Sequence, residues 1–415
     1  MKLMLLRLAA LVFIFICTSI AWLILGGTIF SRTYSSDPGL RSKVESSWGS
    51  PQRQSPPKAS YSYQTSTIVP GDAAGKPGSV RTETVVVPLP LESSHLDVDL
   101  KLDHRQKGLL WYSTYSVDFS GSYHFTNSSG EDRPVTIAWP FPAEKAIYDN
   151  LLFSLDGRPL AFRNDNSQAV AVIPTASGAS HTLTIGYRSQ GMDSWEYDFG
   201  SGVSQVRDFS LRMKTNFREI DFPDNAVSPT GKHPVAGGWQ LDWRYSNLVS
   251  GYNVAVTMPA RLQPGPLAGE ISYFAPVSLF FFFFVLFITT TLRGIDLHPM
   301  NYFFLAAAFF AFHLLLAYLV DHISLNLAFA ICSFVSIGLV VSYLRPVTGV
   351  SFALRDAGLA QFLYLVLFSY AFFFKGFTGL AVTIGAILTL FVVMQATGRL
   401  NWGRQFQKSA PAAQI

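Results

Sequence analysis

The chain has 415 residues, 49% hydrophobic and only 14% charged, with a formal net charge of +4. That charge is no nucleic-acid signal, because Lys43, Lys58 and Lys101 are scattered among Asp and Glu without a basic stripe or helix. The average blends two populations: six nearly charge-free apolar segments, and the stretch 31–270 that holds most of the ionisable side chains.

The first apolar segment is Leu8–Phe30, preceded by Lys2 and Arg7 and followed by Arg32. A cleaved signal peptide has a shorter apolar run and a small-residue cleavage site. Neither holds here, so residues 1–30 read as a cytoplasmic tip and a permanent anchor. Residues 31–79 are rich in Ser, Pro, Gln and Gly and read as an extended, loop-rich segment. Within it, Ser36–Ser47 is expected to form a short helix with Asp37 as its cap. Tyr61–Ile68 alternates like a strand, and the Gly71–Gly78 tip is expected to close a hairpin with Arg81–Val87.

From there the period is two. Tyr115, Val117 and Phe119 alternate with Ser116, Asp118 and Ser120, and Gly121 is expected to mark a bulge. Further strands are expected at Val135–Trp139, Leu151–Leu155, Pro159–Phe162, Ala169–Ile173, Thr182–Tyr187, Ser204–Lys214, Gly238–Tyr245 and Tyr252–Met258. Asp156-Gly157 supplies a two-residue hairpin signal. One brief helix is expected around Ala143–Asn150. Short strands separated by Gly, Pro, Asn and Asp predict an exported all-β sandwich-like domain over 80–263, in one lobe or two. Trp111, Trp139, Trp195, Trp239 and Trp243 are assigned to its core rather than to a binding groove. Pro264-Gly265-Pro266-Leu267 predicts a rigid hinge over 264–270.

Residues 271–398 read as a five-helix transmembrane bundle: Ile271–Leu292, Pro299–Val320, Ile323–Leu344, Ala357–Phe374 and Gly376–Gly398. Each has about the 17–25 apolar residues that cross a ~30 Å hydrocarbon core as a helix. With the anchor this makes six spans and a cytoplasmic tail over 399–415. If the N-terminus is cytoplasmic, Lys2, Arg7, Arg293, Arg345, Arg355, Arg399, Arg404 and Lys408 all face the cytoplasm, and the short external turns keep only Lys375. The positive-inside rule therefore predicts N-in/C-in, with 31–270 on the outer side of the membrane.

Cys17 and Cys332, the two cysteines, both fall in predicted spans, so the exported domain has no disulfide and both read as packing residues. None of the eight histidines has metal-site spacing, and no nucleophile elbow or phosphate loop is present. No cofactor and no enzymatic activity is expected. Five residues remain as functional candidates. His313 is the one ionisable side chain deep in a span, and such groups are costly unless used. Asp321, His322 and Lys375 are expected at the outer ends of two spans, where they can meet. His298 sits on the cytoplasmic side, before a Pro299 that opens a helix. Ala306, Ala307, Ala308 and Ala311, and likewise Gly379, Ala381 and Gly385, give small-residue faces expected to pack helices closely.

Several stretches resemble the inner-membrane CreD family. They are Val44 to Gln52 around Ser47-Trp48-Gly49; Arg105 to Leu109 with Tyr115 and Ser120-Gly121; Leu297-His298-Pro299 with Tyr302; His313-Leu314-Leu315 with Asp321-His322; and Met394 to Trp402. The family more often has Glu-His where this chain has Asp321-His322. The resemblance implies an N-terminal anchor, a large periplasmic domain and a C-terminal bundle, within envelope-stress regulons. It carries over no catalytic residue. The primary expectation is a non-enzymatic envelope protein whose β domain contacts a periplasmic protein or glycan while the bundle, embedded in the lipid bilayer, anchors it or relays a signal. The alternatives are a transport or export component for a lipid-like or amphipathic substrate and, last, an exported hydrolase.

Overall fold

The computed structural model describes residues 2–69, 79–108, 110–200, 204–374 and 376–398. They divide into two compact units. One comprises Met1–Pro38, Gly108–Leu110 and Leu262–Ile415, the other Gly39–Lys107 and Trp111–Arg261.

The second unit is built of strands. In chain order they are β1 (Gln52–Gln54), β2 (Lys58–Val69), β3 (Ser79–Leu89), β4 (Leu91–Lys107), β5 (Leu110–Thr126), β6 (Arg133–Pro140), β7 (Asp149–Leu155) and β8 (Arg158–Pro159). There follow β9 (Arg163–Asp165), β10 (Gln168–Thr175), β11 (Ser180–Met192), β12 (Ser194–Tyr197), β13 (Ser204–Thr215), β14 (Gly231–Val235), β15 (Gly238–Ser250) and β16 (Val254–Thr257). They form three open sheets: β1-β12-β16, β3-β2-β6-β10-β9, and an eight-stranded β14-β15-β13-β4-β5-β11-β7-β8. Most pairs are antiparallel, but β13 runs parallel to β4 and β1 parallel to β12. All three sheets feed one core. Trp139 of β6, Trp195 of β12, Trp243 of β15 and Tyr123 of β5 are fully buried in it. Trp111 and Trp239 are half-buried at the edge, under Arg261 and Lys232 respectively.

Four expectations for this unit are corrected. Ala143–Asn150 does not form a helix. Tyr148 O–H donates to the Ala143 carbonyl and accepts from its N–H, both at 2.8 Å, which pins the segment as a loop against its helical composition. Gly121 makes no bulge in its pairing with β11, whose register runs unbroken across it. It is small because a Cβ there would come within 2.9 Å of Leu96 and Tyr123 side-chain atoms. Ser36–Ser47 is not a separate helix but the end of a continuous one, so Asp37 lies inside it rather than at a helix start. Finally, β4 was not among the expected strands. The β2–β3 pairing is as expected, while the Gly71–Gly78 tip lies outside the described residues.

Among the described residues, six helices of the membrane unit are long and apolar enough to cross a bilayer. They are α1 (Lys2–Ser47), whose last residues belong to the β unit, α2 (Pro264–Arg293), α3 (Pro299–Leu319), α4 (Leu325–Thr348), α5 (Phe352–Phe373) and α6 (Thr378–Thr397). At 1.5 Å per residue α1 is about 69 Å long, so it far exceeds a ~30 Å core. Pro264 and Gly265 do not form a hinge: Pro264 occupies the first turn of α2, where a proline lacks only an N–H that would be unpaired anyway. Gly265 and Gly269 then form a G-x-x-x-G face. A Cβ at Gly265 would strike the Thr33 hydroxyl at 2.6 Å, and one at Gly269 would meet the Phe30 ring at 3.2 Å. Small residues here let α1 and α2 approach closely.

Packing within this unit is uneven. α3 buries Tyr302, Leu305, Ala306, Phe309, Phe312, His313, Leu316 and Ala317, whereas α6 buries only Thr389 and Val393. The expected close-packed face of α6 is absent, since nothing lies within 4 Å of a Cβ placed at Gly379 or Gly385. α5 is irregular, with π-turns at Phe352–Ala357 and Phe362–Leu367.

Candidate functional sites

The sequence candidates fall in three separate places. His298 caps α3: its Nδ1 accepts the Met300 N–H at 3.2 Å, ahead of Pro299 at the first helical position. This satisfies one of the free N–H groups of a helix start. His313 lies in the core, only 1% exposed. Its Nδ1 donates to the Phe309 carbonyl at 3.1 Å, which fixes the tautomer and leaves Nε2 as an acceptor. That Nε2 is buried without a partner, as is the Trp22 Nε1 donor of α1, and the two rings stand edge-to-face at 5.6 Å. Phe309 and Phe312 complete an aromatic box around the imidazole.

Asp321 and His322 follow α3. Asp321 pairs with Arg32 of α1 at 3.3 Å, and Arg32 also donates to the Ala317 carbonyl at 3.1 Å and lies over the Tyr318 ring. The partner of Asp321 is thus a residue that the sequence marked only as the flank of the anchor. The His322 ring is exposed, and Lys375 lies outside the described residues. Cys17 is exposed on α1 and Cys332 buried in α4.

In the β unit the polar face of the eight-stranded sheet forms a shallow groove of about 320 Å³. Its walls come from five adjacent strands, with Asn150 of β7 at one side. β4 supplies Asp97 and Asp99, β5 supplies Asp118 and Ser120, β11 supplies Arg188, and β13 supplies Arg212 and Lys214. The cause is the strand period: in β4 the residues Leu96, Val98 and Leu100 are buried, so their neighbours must point to the other face. Charges of both signs interleave. Arg188 Nε donates to Asp118 at 2.7 Å, and that hydrogen bond raises the guanidinium pKa above its ordinary value. Lys101 reaches Asp99 and Asp118 at 3.6 Å, and Arg212 reaches Asp97 at 3.5 Å. Sequence reading missed this face because it passed over β4, whose strict alternation Leu96-Asp97-Val98-Asp99-Leu100-Lys101 was the available signal. Among the described residues no cluster of three or more His, Cys, Asp or Glu is placed to hold a metal ion.

A set of long apolar helices with charged ends, beside a β-rich segment, marks a membrane protein. Residues 271–403, about a third of the chain, match the family described as Inner membrane protein CreD, in line over this segment with the resemblance noted above. All five sequence candidates lie within it, while the groove of the β unit lies outside it. No curated protein matches the chain. Among solved structures, a protein described as nutrient-binding from Legionella pneumophila aligns at 9% identity and a TM-score of 0.32, over 48% of this chain and 74% of its own. An M1 zinc metallopeptidase from Deinococcus radiodurans aligns at 9% identity and a TM-score of 0.21, over 66% of this chain and 94% of its own. Similarity at that level carries no argument about fold or activity.

Proposed function

We infer that this is a non-enzymatic inner-membrane envelope protein with six spans in an N-in/C-in arrangement. Residues 31–270 face the periplasm, and the sheets of the β unit act as a sandwich-like module that presents its charged groove to a periplasmic partner. The bundle anchors that module or relays its occupancy, in keeping with the envelope-stress association that the family resemblance implies. The observation that carries the reading is the mixed-sign groove across β11, β5, β4 and β13. Its charges are exposed and interleaved, which suits a polar, extended partner such as a peptide or glycan strand and gives orientation more than raw affinity. A second reading, movement of a lipid-like or amphipathic substrate, draws on the buried and half-satisfied His313.

The topology is tested by cysteine labelling in cells whose outer membrane is permeabilised, in a Cys17→Ser, Cys332→Ser background. An impermeant maleimide is expected to label Ser120→Cys and to spare Val347→Cys, in the last turn of α4 close to Arg345. Labelling of Val347→Cys with Ser120→Cys spared would reverse the orientation and end the periplasmic reading.

A further inference from the structure

We propose that the membrane unit carries a binding site for one acyl chain of an anionic phospholipid, in the cavity between α2, α5 and α6. The cavity measures about 620 Å³. Its walls are apolar, from Phe281 and Val285 on α2, Leu363 and Leu367 on α5, and Ala381 and Gly385 on α6. The volume lies in the range of sites that hold small ligands.

Shape selects a chain. Along α6 the lining runs from Ala381 to Ala396, which is about 22 Å at 1.5 Å per residue. A volume of about 620 Å³ drawn out over that length is a long groove rather than a rounded pocket. An extended hydrocarbon chain matches both that length and the apolar lining. The small residues that sequence reading assigned to helix packing create this space, since a Cβ at Gly385 would have no neighbour within 4 Å. The irregularity of α5 contributes a second feature. Its π-turns fall at Arg355-Asp356 and at Tyr364, both in the cavity wall, and π-turns often mark functional positions. The Tyr364 hydroxyl meets Thr389 of α6 at 2.9 Å and bridges the two helices partway along the channel.

Charge selects the headgroup. One end of the cavity holds Arg355 and Asp356. Arg293, the last residue of α2, donates to Asp356 Oδ1 at 2.7 Å, and Asp356 Oδ2 is buried without a partner. Arg355 is exposed and makes no ion pair among the described residues. Two guanidinium groups and one carboxylate leave a net single positive charge, complementary to one phosphodiester. Asp356 Oδ2 remains free to accept from a headgroup hydroxyl, which phosphatidylglycerol supplies. The other end, near Phe281 and Ala381, has no charged lining residue.

The test is native mass spectrometry of the full chain released from detergent, with added dioleoyl phosphatidylglycerol or phosphatidylethanolamine. One tightly retained phosphatidylglycerol per chain is expected, with phosphatidylethanolamine retained less. Gly385→Leu, which fills the channel, is expected to abolish this retention. Arg355→Gln is expected to reduce it about fivefold, the equivalent of one basic contact of ~1 kcal/mol. As a check independent of variant folding, a diazirine placed on the acyl chain is expected to label the inner face of α6 around Gly385 in the wild-type protein. Equal retention of both lipids, or labelling spread evenly over the outward-facing residues of α6, would overturn the proposal.

Discussion

The two units handle polarity in opposite ways. In the β unit the core is aromatic, and charges pair on the outer faces of the sheets, as Arg188–Asp118 does at 2.7 Å. In the membrane unit the outer surface is apolar, and polar side chains turn inward: His313, Ser336 and Gln361 are all buried, with Gln361 donating to Ser336 at 2.8 Å. The contrast shows why sequence patterns work in one and fail in the other. Water sorts the two faces of a strand, so alternation reports which side is core. Lipid is as apolar as leucine and sorts nothing, so α3 and α6 look alike in composition although one buries eight residues and the other two.

The largest effect is expected where the aromatic core is emptied. Trp243 is fully buried and its Nε1 donates to the Val227 carbonyl at 2.8 Å. Trp243→Ala should cost about 3–5 kcal/mol, seen as an early unfolding midpoint for the β unit in denaturant-dependent proteolysis of the full chain. A pH titration probes the same core. Burial pushes the Tyr148 phenol up to about 12, against the opposing hydrogen bond to Ala143. Burial also raises Tyr115, Tyr187 and Tyr197 well above the ordinary value of 10.0. Because these folded-state values exceed the unfolded one, their contribution is complete below pH ~10 and is lost as the pH climbs through the folded values. The share of phenolate absorbance that comes from these buried tyrosines should therefore appear in step with loss of β-sheet signal, above pH ~10, as a phase separate from that of exposed tyrosines such as Tyr252.

Next in size is a pair of substitutions that separates tight from loose helix packing. Gly269→Leu forces a side chain towards Phe30, 3.2 Å from the position of its Cβ, and should cost about 1–3 kcal/mol. Gly385→Leu meets open space and should stay within ~0.5 kcal/mol. Thermal denaturation of both variants in the same detergent checks this, and equal losses would mean that α6 is as tightly packed as α2. The smallest effect is expected at Arg32→Ala. The pair with Asp321 is partly exposed, so its removal should cost only ~0–1 kcal/mol.

Much of the architecture was legible. The ends of α3 and α6 fall within two residues of the expected spans, because ~20 apolar residues can only be a spanning helix once lipid is the solvent. Strands such as β6 and β10 follow their apolar alternation. Three features were hidden for physical reasons. The segment at 143–150 has helix-forming residues, but hydrogen bonds between the Tyr148 side chain and the Ala143 backbone override them. The pairing of β13 beside β4 joins residues 115 apart in sequence, as Arg212–Asp97 illustrates, and no local signal encodes it. The role of Gly385 was misread because a small residue can make a contact or make a space, and composition does not distinguish the two.

The central claim is that the groove of the eight-stranded sheet binds a partner. In-cell photo-crosslinking with probes at Ser120 and Asn150, in the groove, and at Val249, exposed elsewhere on the β unit, tests it most directly. One discrete peptide or glycan adduct is expected at the groove positions, absent at Val249 and lost when Lys214→Glu and Arg188→Glu reverse the local charge. Adducts of equal strength at all three positions, lipid adducts only, or a groove adduct indifferent to the charge reversal would contradict it.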